Sequence, residues 1–289
     1  MSNIPEVTLN NGVKMPQIGF GVFQITDPLA AQKAVSDALA VGYRLIDTAA
    51  AYQNEVAVGK AIKASGLKRE DIFVTSKLWV SNANYSRAKA GIADSLQKLD
   101  LDYLDLYLLH QPYGDVIGAW QALEEAYQTG KIRAIGVSNF YADQLRNLEL
   151  TTKIQPAINQ IEVNPWYQQN REIAANIQDH VQVEAWAPFA EGKNHLFTNS
   201  TLKTIGQKYH KSVGQVVLRW LLQRQIIVIP KSVHQERMKE NLAILDFNLT
   251  PSDMTTIAQL NQHQSQFLDH RDPDTITQIF GSSLKELKS

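Results

Sequence analysis

Six polar residues close apolar runs at intervals along the chain. Asp47 follows YRLI, Lys77 follows IFVTS, His110 follows YLDLYLL, Asn139 follows IRAIGVS, Gln160 follows PAIN and Lys231 follows IIVIP. A carboxylate, an ammonium and an imidazole gathered at one end of a parallel sheet have the means to move a proton and to stabilise charge developing on an oxygen. The neutral amides of Asn139 and Gln160 complement a ligand that itself carries an amide. Any one of these residues taken alone reads as a strand end reaching solvent or as a satisfied buried polar group, and Asp47 with Lys77 as a structural ion pair. Six of them on one face favour a shared pocket.

A second cluster follows the last run. In Lys231-Ser232-Val233-His234-Gln235-Glu236-Arg237, two cations and a hydroxyl precede or begin a helix, whose unpaired amides and dipole favour an anion. Arg237 and Asn241 are four residues apart and share a helical face. A solvated helix start explains such a cluster by itself; its place after the eighth run makes a phosphate the better reading.

The elements that must position these groups are regular. QIGFG, YRLID, IFVTSK, YLDLYLLH, IRAIGVS, PAINQI, VQVEAW and IIVIPK are short apolar runs of the kind expected of strands buried on both faces. Between them, Leu29–Ala40, Glu55–Ser65, Arg87–Leu99, Val116–Thr129 and Gln235–Ile244 carry apolar residues at helical spacing. This alternation predicts a (β/α)8 barrel, whose chemistry gathers at the carboxyl ends of its strands. VTL and VKM around Asn11-Gly12 predict an amino-terminal hairpin with the Asn-Gly pair in a tight turn. The segment after Gln262, with its late Phe280, reads as a tail over the barrel mouth.

The chain has 289 residues, 44% of them hydrophobic, and no Pro/Gly/Ser-rich linker or charge block divides it, so residues 1–289 are expected to form a single domain. A net charge of −1 gives no electrostatic reason to seek nucleic acid or an anionic membrane. With no cysteine, a disulfide framework, a thiolate-held metal and a cysteine nucleophile are excluded. MSNIPEVTLNNG has neither the basic nor the apolar region of a signal peptide, and no run approaches membrane-spanning length; a soluble, cytoplasmic monomer with a small-molecule partner is expected. Gly19-Phe20-Gly21-Val22-Phe23-Gln24 lacks the third glycine of a dinucleotide fingerprint and reads as a glycine-permitted bend from strand to loop. Gly136-Val137-Ser138-Asn139-Phe140 lacks the closing glycine of a nucleophile elbow, and no HExxH pair suggests a metal.

Asp47-Thr48-Ala49 through Tyr52, Ser76-Lys77-Leu78-Trp79, Leu109-His110-Gln111-Pro112, Gly136-Val137-Ser138-Asn139-Phe140 and Ile229-Pro230-Lys231-Ser232 resemble the aldo-keto reductase family in type, order and spacing. Within that family the chain is most similar to the bacterial 2,5-diketogluconate-reductase-like branch. The resemblance implies a nicotinamide-dependent carbonyl reductase with Asp47, Tyr52, Lys77 and His110 as its catalytic residues. Hydride arriving at a carbonyl carbon leaves negative charge on oxygen. Tyr52 would protonate it, Lys77 would lower the tyrosine pKa from about 10, Asp47 would hold Lys77, and His110 would align the carbonyl.

The same resemblance assigns the cofactor as NADPH. Lys231, Ser232, Val233, Arg237 and Asn241 would meet the 2′-phosphate and adenine, and Ser138, Asn139 and Gln160 the nicotinamide amide, with Trp186 stacked on the ring where family members often have Tyr. Phe23, Trp79, His110, Gln111 and Tyr113 are expected to line the substrate entrance. Gln111 stands where many members have Trp and makes the pocket more polar. Small aldehydes, dicarbonyls or keto esters are the expected substrates, with sugar-derived ketones close behind. Two alternatives predict different behaviour. A redox-sensing NADPH-binding module on a fold like that of potassium-channel β subunits would show little turnover. A hydrolase built on Glu162 and Glu184 would need no cofactor, although interior ion pairing explains those two carboxylates more simply.

Overall fold

The computed structural model describes residues 4–287; the first three residues of the amino-terminal stretch and the last two of the chain lie outside it. Strands β1 (Glu6–Thr8) and β2 (Lys14–Pro16) form the expected antiparallel hairpin, with Val7 opposite Met15. Its turn differs from the expected one. The Leu9 carbonyl accepts from Gly12 N–H and Leu9 N–H donates to Val13, so Asn10 and Asn11 form the corner and Gly12 alone of the three has a positive φ, 84°. This is a three-residue loop with a glycine bulge. The displaced asparagines gain partners, donating to the Pro156 and Arg133 carbonyls at 2.8 and 3.0 Å. The hairpin thus plugs the amino-terminal end of the barrel.

The barrel strands are β3 (Phe20–Gly21), β4 (Leu45–Asp47), β5 (Phe73–Leu78), β6 (Leu104–Leu109), β7 (Ile132–Ser138), β8 (Ile158–Glu162), β9 (Gln182–Trp186) and β10 (Ile227–Val228). Each is parallel to the next in chain order. The ring closes where Ile18 bridges Val228 and Gly19 N–H donates to the Val228 carbonyl at 2.8 Å. The seam explains the glycines of GFG. A Cβ on Gly19 would lie 2.4 Å from Leu45 Cγ, and one on Gly21 2.9 Å from the Ile229 carbonyl oxygen. Neither has a positive φ, so close approach rather than a bend demands them. β10 is shorter than the IIVIPK run because Pro230 has no N–H to continue the ladder.

The helices follow the expected alternation: α1 (Pro28–Val41), α2 (Glu55–Ala64), α3 (Tyr85–Leu99), α4 (Val116–Gln128), α5 (Ala142–Thr151), α6 (Asn170–Gln178), α7 (Ser200–Tyr209), α8 (Val213–Gln223) and α9 (Gln235–Leu242). Local chemistry starts several of them. Asp27, Asn84, Asp115 and Ser212 each accept a first-turn N–H, and Pro28 occupies the opening position of α1. Between β9 and β10 stand two helices instead of one. After α10 (Pro251–Ala258) the tail contains a further helix, α11 (Pro273–Glu286).

Strand alternation assigns depth within the barrel. Leu45, Phe73, Leu106, Leu108, Ala134 and Ile158 fill the lower interior with Met15 of the hairpin. Two or four residues further along the same strand faces come Asp47, Lys77, His110, Ser138 and Gln160. Outward-facing neighbours instead fasten the helices to the sheet. Ser76, between Thr75 and Lys77, donates at 2.6 Å to the buried Glu55 of α2.

Candidate active site

Lys77 is wholly buried and each of its three N–H groups has an acceptor. Nζ donates to Asp47 Oδ1 at 2.6 Å, to the Thr48 carbonyl at 3.0 Å and to Tyr52 Oη at 3.4 Å. Tyr52 stands on a 3-10 turn (Ala50–Tyr52) immediately after β4. That turn is tied down by Asn54, which accepts from Thr48 Oγ1 at 2.8 Å and donates to the Val22 and Ile25 carbonyls. Because Tyr52 Oη accepts from Lys77, its own proton is not used in that bond. The His110 ring lies edge-on to Tyr52 at 5.6 Å, and its backbone N–H donates to Leu78 at 3.1 Å.

Burial acts on these groups in opposite directions. It pushes the Lys77 ammonium down, but Asp47, Tyr52 and Glu184 outweigh it, and the net shift is upward: the amine is firmly charged. His110 is held well below the usual imidazole range, first by burial and then by the Lys77 charge, and is neutral at neutral pH. Tyr52 corrects the expectation that Lys77 would bring it down. Enclosure of the hydroxyl raises it, Lys77 offsets part of the rise, and Asp47 adds to it, so the phenol stays protonated.

Gln160 reaches across the barrel from β8. Its Nε2 donates to Asp47 Oδ2 at 2.9 Å and to Glu184 Oε2 at 3.0 Å. Ser138 Oγ donates to the Gln160 carbonyl. Asn139, at φ 64°, donates to the His110 carbonyl and to Ser138 Oγ, and accepts from the Trp186 indole at 2.9 Å. Trp186 also meets Phe267 of the tail, ring centroids 5.2 Å apart. The four residues expected at the nicotinamide end therefore form one connected group, joined to Asp47 and through it to Lys77 by Gln160.

The cluster expected to take phosphate lies apart, around the start of α9. Lys231, exposed, sits three residues beyond the end of β10 rather than at the strand end with the others, since Pro230 stops the ladder first. Ser232 is buried and exchanges hydrogen bonds with the His234 backbone, leaving the first turn of α9 without a side-chain cap. Val233 is 49% exposed. Arg237 is exposed, and neither it nor the Asn241 side-chain amide has a partner among the described residues.

Aromatic rings wall the mouth. Phe23 meets Tyr52 at 4.9 Å, Trp79 meets His110 at 5.2 Å and Phe280 at 5.8 Å, and Phe280 meets Tyr113 at 5.0 Å. Trp79 Nε1 donates to Ser283 at 3.0 Å, fastening α11 over this wall as the late Phe280 suggested. Gln111 is 9% exposed with Oε1 buried and unpartnered.

Residues 17–262 match the sequence profile of the Aldo/keto reductase family. The chain belongs to the aldo/keto reductases. It is 45% identical to the glyoxal reductase of Bacillus subtilis (strain 168) over 264 residues, covering 89% of this chain and 93% of that one. It is 42% identical to the methylglyoxal reductase DkgA of Escherichia coli (strain K12) over 265 residues, 91% and 95% of the two chains. Among solved structures, an aldo-keto reductase of Bombyx mori in complex with NADP superposes with a TM-score of 0.87 at 36% identity, covering 94% of this chain and 96% of that one. As a member of this family the protein is an oxidoreductase of the kind that uses a nicotinamide cofactor, and its relatives reduce carbonyl compounds. None of its described helices is long and apolar enough to cross a membrane.

In this aldo/keto reductase the two interior glutamates have no ion-pair partner among the described residues, against expectation. Glu184 is completely buried, and burial reinforced by Asp47 pushes its carboxyl up to about 8, so a neutral amide, Gln160, suffices as partner. Glu162 is likewise raised by burial and is met by Ser265, the Gln266 N–H and Asn164. Sequence reasoning passed over Asn54, for which the polar residue closing the Asp47–Tyr52 stretch was the available signal. It also passed over His270, whose place in a polar tail gave no signal.

Proposed function

We propose that the protein reduces small aldehydes and dicarbonyls to alcohols, using NADPH, with Tyr52 as the general acid. The observation that carries this reading is the saturation of Lys77. Its three donors are spent on Asp47, Thr48 and Tyr52, so the tyrosine oxygen is an acceptor and its proton is available to a substrate oxygen. Bound NADPH supplies the hydride. His110, neutral, donates to the carbonyl oxygen and orients it; as charge grows there, Tyr52 gives up its proton, and the Lys77 ammonium stabilises the tyrosinate left behind. The raised tyrosine pKa is no obstacle, because an alkoxide is a far stronger base than tyrosinate.

The residues present fit the cofactor. With Nε2 of Gln160 held by the Asp47 carboxylate and the Glu184 carboxyl group, the carbonyl end of that amide is left for an N–H of the nicotinamide amide. Ser138, Asn139 and Trp186 enclose the same end. At the start of α9 the uncapped amides, Lys231, Ser232, Val233 and the unpaired Arg237 suit a 2′-phosphate, and Asn241 suits the adenine. Phe23, Trp79, His110, Gln111 and Tyr113 suit a small, mostly apolar substrate.

Arg237→Ala tests the cofactor assignment. A charge-assisted hydrogen bond contributes about 1.5–3 kcal/mol, so KM for NADPH is expected to rise roughly 10- to 100-fold while KM for NADH stays within about 2-fold. Steady-state kinetics with both cofactors and one aldehyde gives the comparison, and equal losses for the two would remove the 2′-phosphate contact from the account.

A further inference from the structure

A second imidazole stands in the pocket wall without a part in the reaction described above. His270, between α10 and α11, is 8% exposed, and its Nε2 is buried with no hydrogen-bond partner among the described residues. Leaving such an atom unpaired costs about 1–3 kcal/mol, so a group able to hydrogen-bond it would gain by reaching it.

The ring is held firmly. Tyr113 Oη donates to the His270 carbonyl at 2.7 Å, and Phe280 lies nearly parallel to the imidazole at 23° with centroids 6.4 Å apart. The following residue, Arg271, sits 3.7 Å over the Tyr141 ring and is paired with Asp143 at 2.8 Å. His270 borders the same small cavity as Asn139 and Trp186, and it is among the groups that disfavour a charge on His110. It therefore stands between the nicotinamide end of the site and the aromatic substrate wall. Burial lowers it to about 4, so at neutral pH it offers one N–H and one lone pair and suits an uncharged oxygen rather than a carboxylate.

We propose that His270 is a specificity-determining residue. It hydrogen-bonds a second, neutral oxygen on the carbon next to the reacting carbonyl, so that the site favours vicinal dicarbonyls over simple aldehydes of similar size. Two imidazoles then hold two adjacent oxygens, His110 the reacting one and His270 its neighbour. The inference rests on the carbonyl-reduction reading and adds a substrate preference to it. A purely structural role for His270, as a wedge under α11, would act on every substrate alike.

The experiment compares methylglyoxal with propanal, using NADPH and the full chain. His270→Leu is expected to lower kcat/KM for methylglyoxal about 10-fold, one hydrogen bond's worth, and to leave propanal within about 2-fold. His270→Gln, which places an amide near the lost Nε2, is expected to recover most of the methylglyoxal rate. Hydration of the aldehydes is the same for every variant and cancels from the ratio, and intact propanal turnover shows that the variants are folded. Equal losses on both substrates, or an unchanged ratio, would overturn the assignment of His270. A wild-type protein that reduces neither compound would instead overturn the carbonyl-reduction reading beneath it.

Discussion

Tyr52→Phe is expected to lower kcat for carbonyl reduction on the order of 1,000-fold while the dissociation constant for NADPH changes less than about 2-fold. General acids contribute about 10²- to 10⁴-fold, and no second protonated group is placed to substitute. The change releases one Lys77 N–H, but Asp47 holds that ammonium charged and its pKa raised, and His110 is neutral and already assigned to the carbonyl oxygen. The Tyr52 ring contributes contacts to Phe23 and His110 that phenylalanine retains, so the pocket keeps its shape. Single-turnover absorbance of the reduced cofactor, together with cofactor fluorescence titration, separates the two quantities. Retention of a tenth or more of the wild-type rate would mean that the proton comes from elsewhere.

Lys77→Met should damage both stability and turnover, for separable reasons. The Lys77–Asp47 pair is 0% and 3% exposed at 2.6 Å, and removing one partner of such a pair strands the other charge at a cost of about 3–5 kcal/mol. For a chain of this size that corresponds to a loss on the order of 10 °C in Tm. Adding Asp47→Asn removes the stranded carboxylate and keeps an acceptor for Gln160 Nε2, so the double variant should recover most of the lost Tm. It should recover none of the lost activity, because the tyrosinate then has no neighbouring ammonium. Thermal unfolding and kcat measured on the two variants decide this. Activity returning together with stability would show that the pair serves only the fold.

The strands were legible because the barrel interior repeats with period two. Leu45 and Asp47, Phe73 and Lys77, Ile158 and Gln160 share faces, so a polar residue ending an apolar run announces its depth. Asn139 is the informative exception. It follows Ser138 directly and by alternation belongs outside; a left-handed backbone at φ 64°, which asparagine tolerates, turns it into the mouth. What was not legible depends on distances that no local pattern encodes. GFG suggests a bend, yet only the approach of Leu45 and Ile229 across the seam reveals why both glycines are needed. Whether Lys77 or burial dominates at Tyr52 is a balance of enclosure against charge, set by the whole pocket. Glu184 was visible as a polar interruption in a strand, but its amide partner lies on β8, and the burial that raises its pKa appears only when the ring closes. The tail is the extreme case. Its helix α11 is held by Trp79 and Tyr113, and its sequence states neither contact.

The most direct measurement of the central claim follows the hydride itself. With NADPH carrying deuterium at the transferable position of C4 and methylglyoxal as substrate, mass spectrometry of the product alcohol should show one deuterium, bound to the carbon of the former carbonyl. One NADP⁺ should form for each alcohol. A product free of label, or consumption of the carbonyl that does not depend on NADPH, would contradict the account.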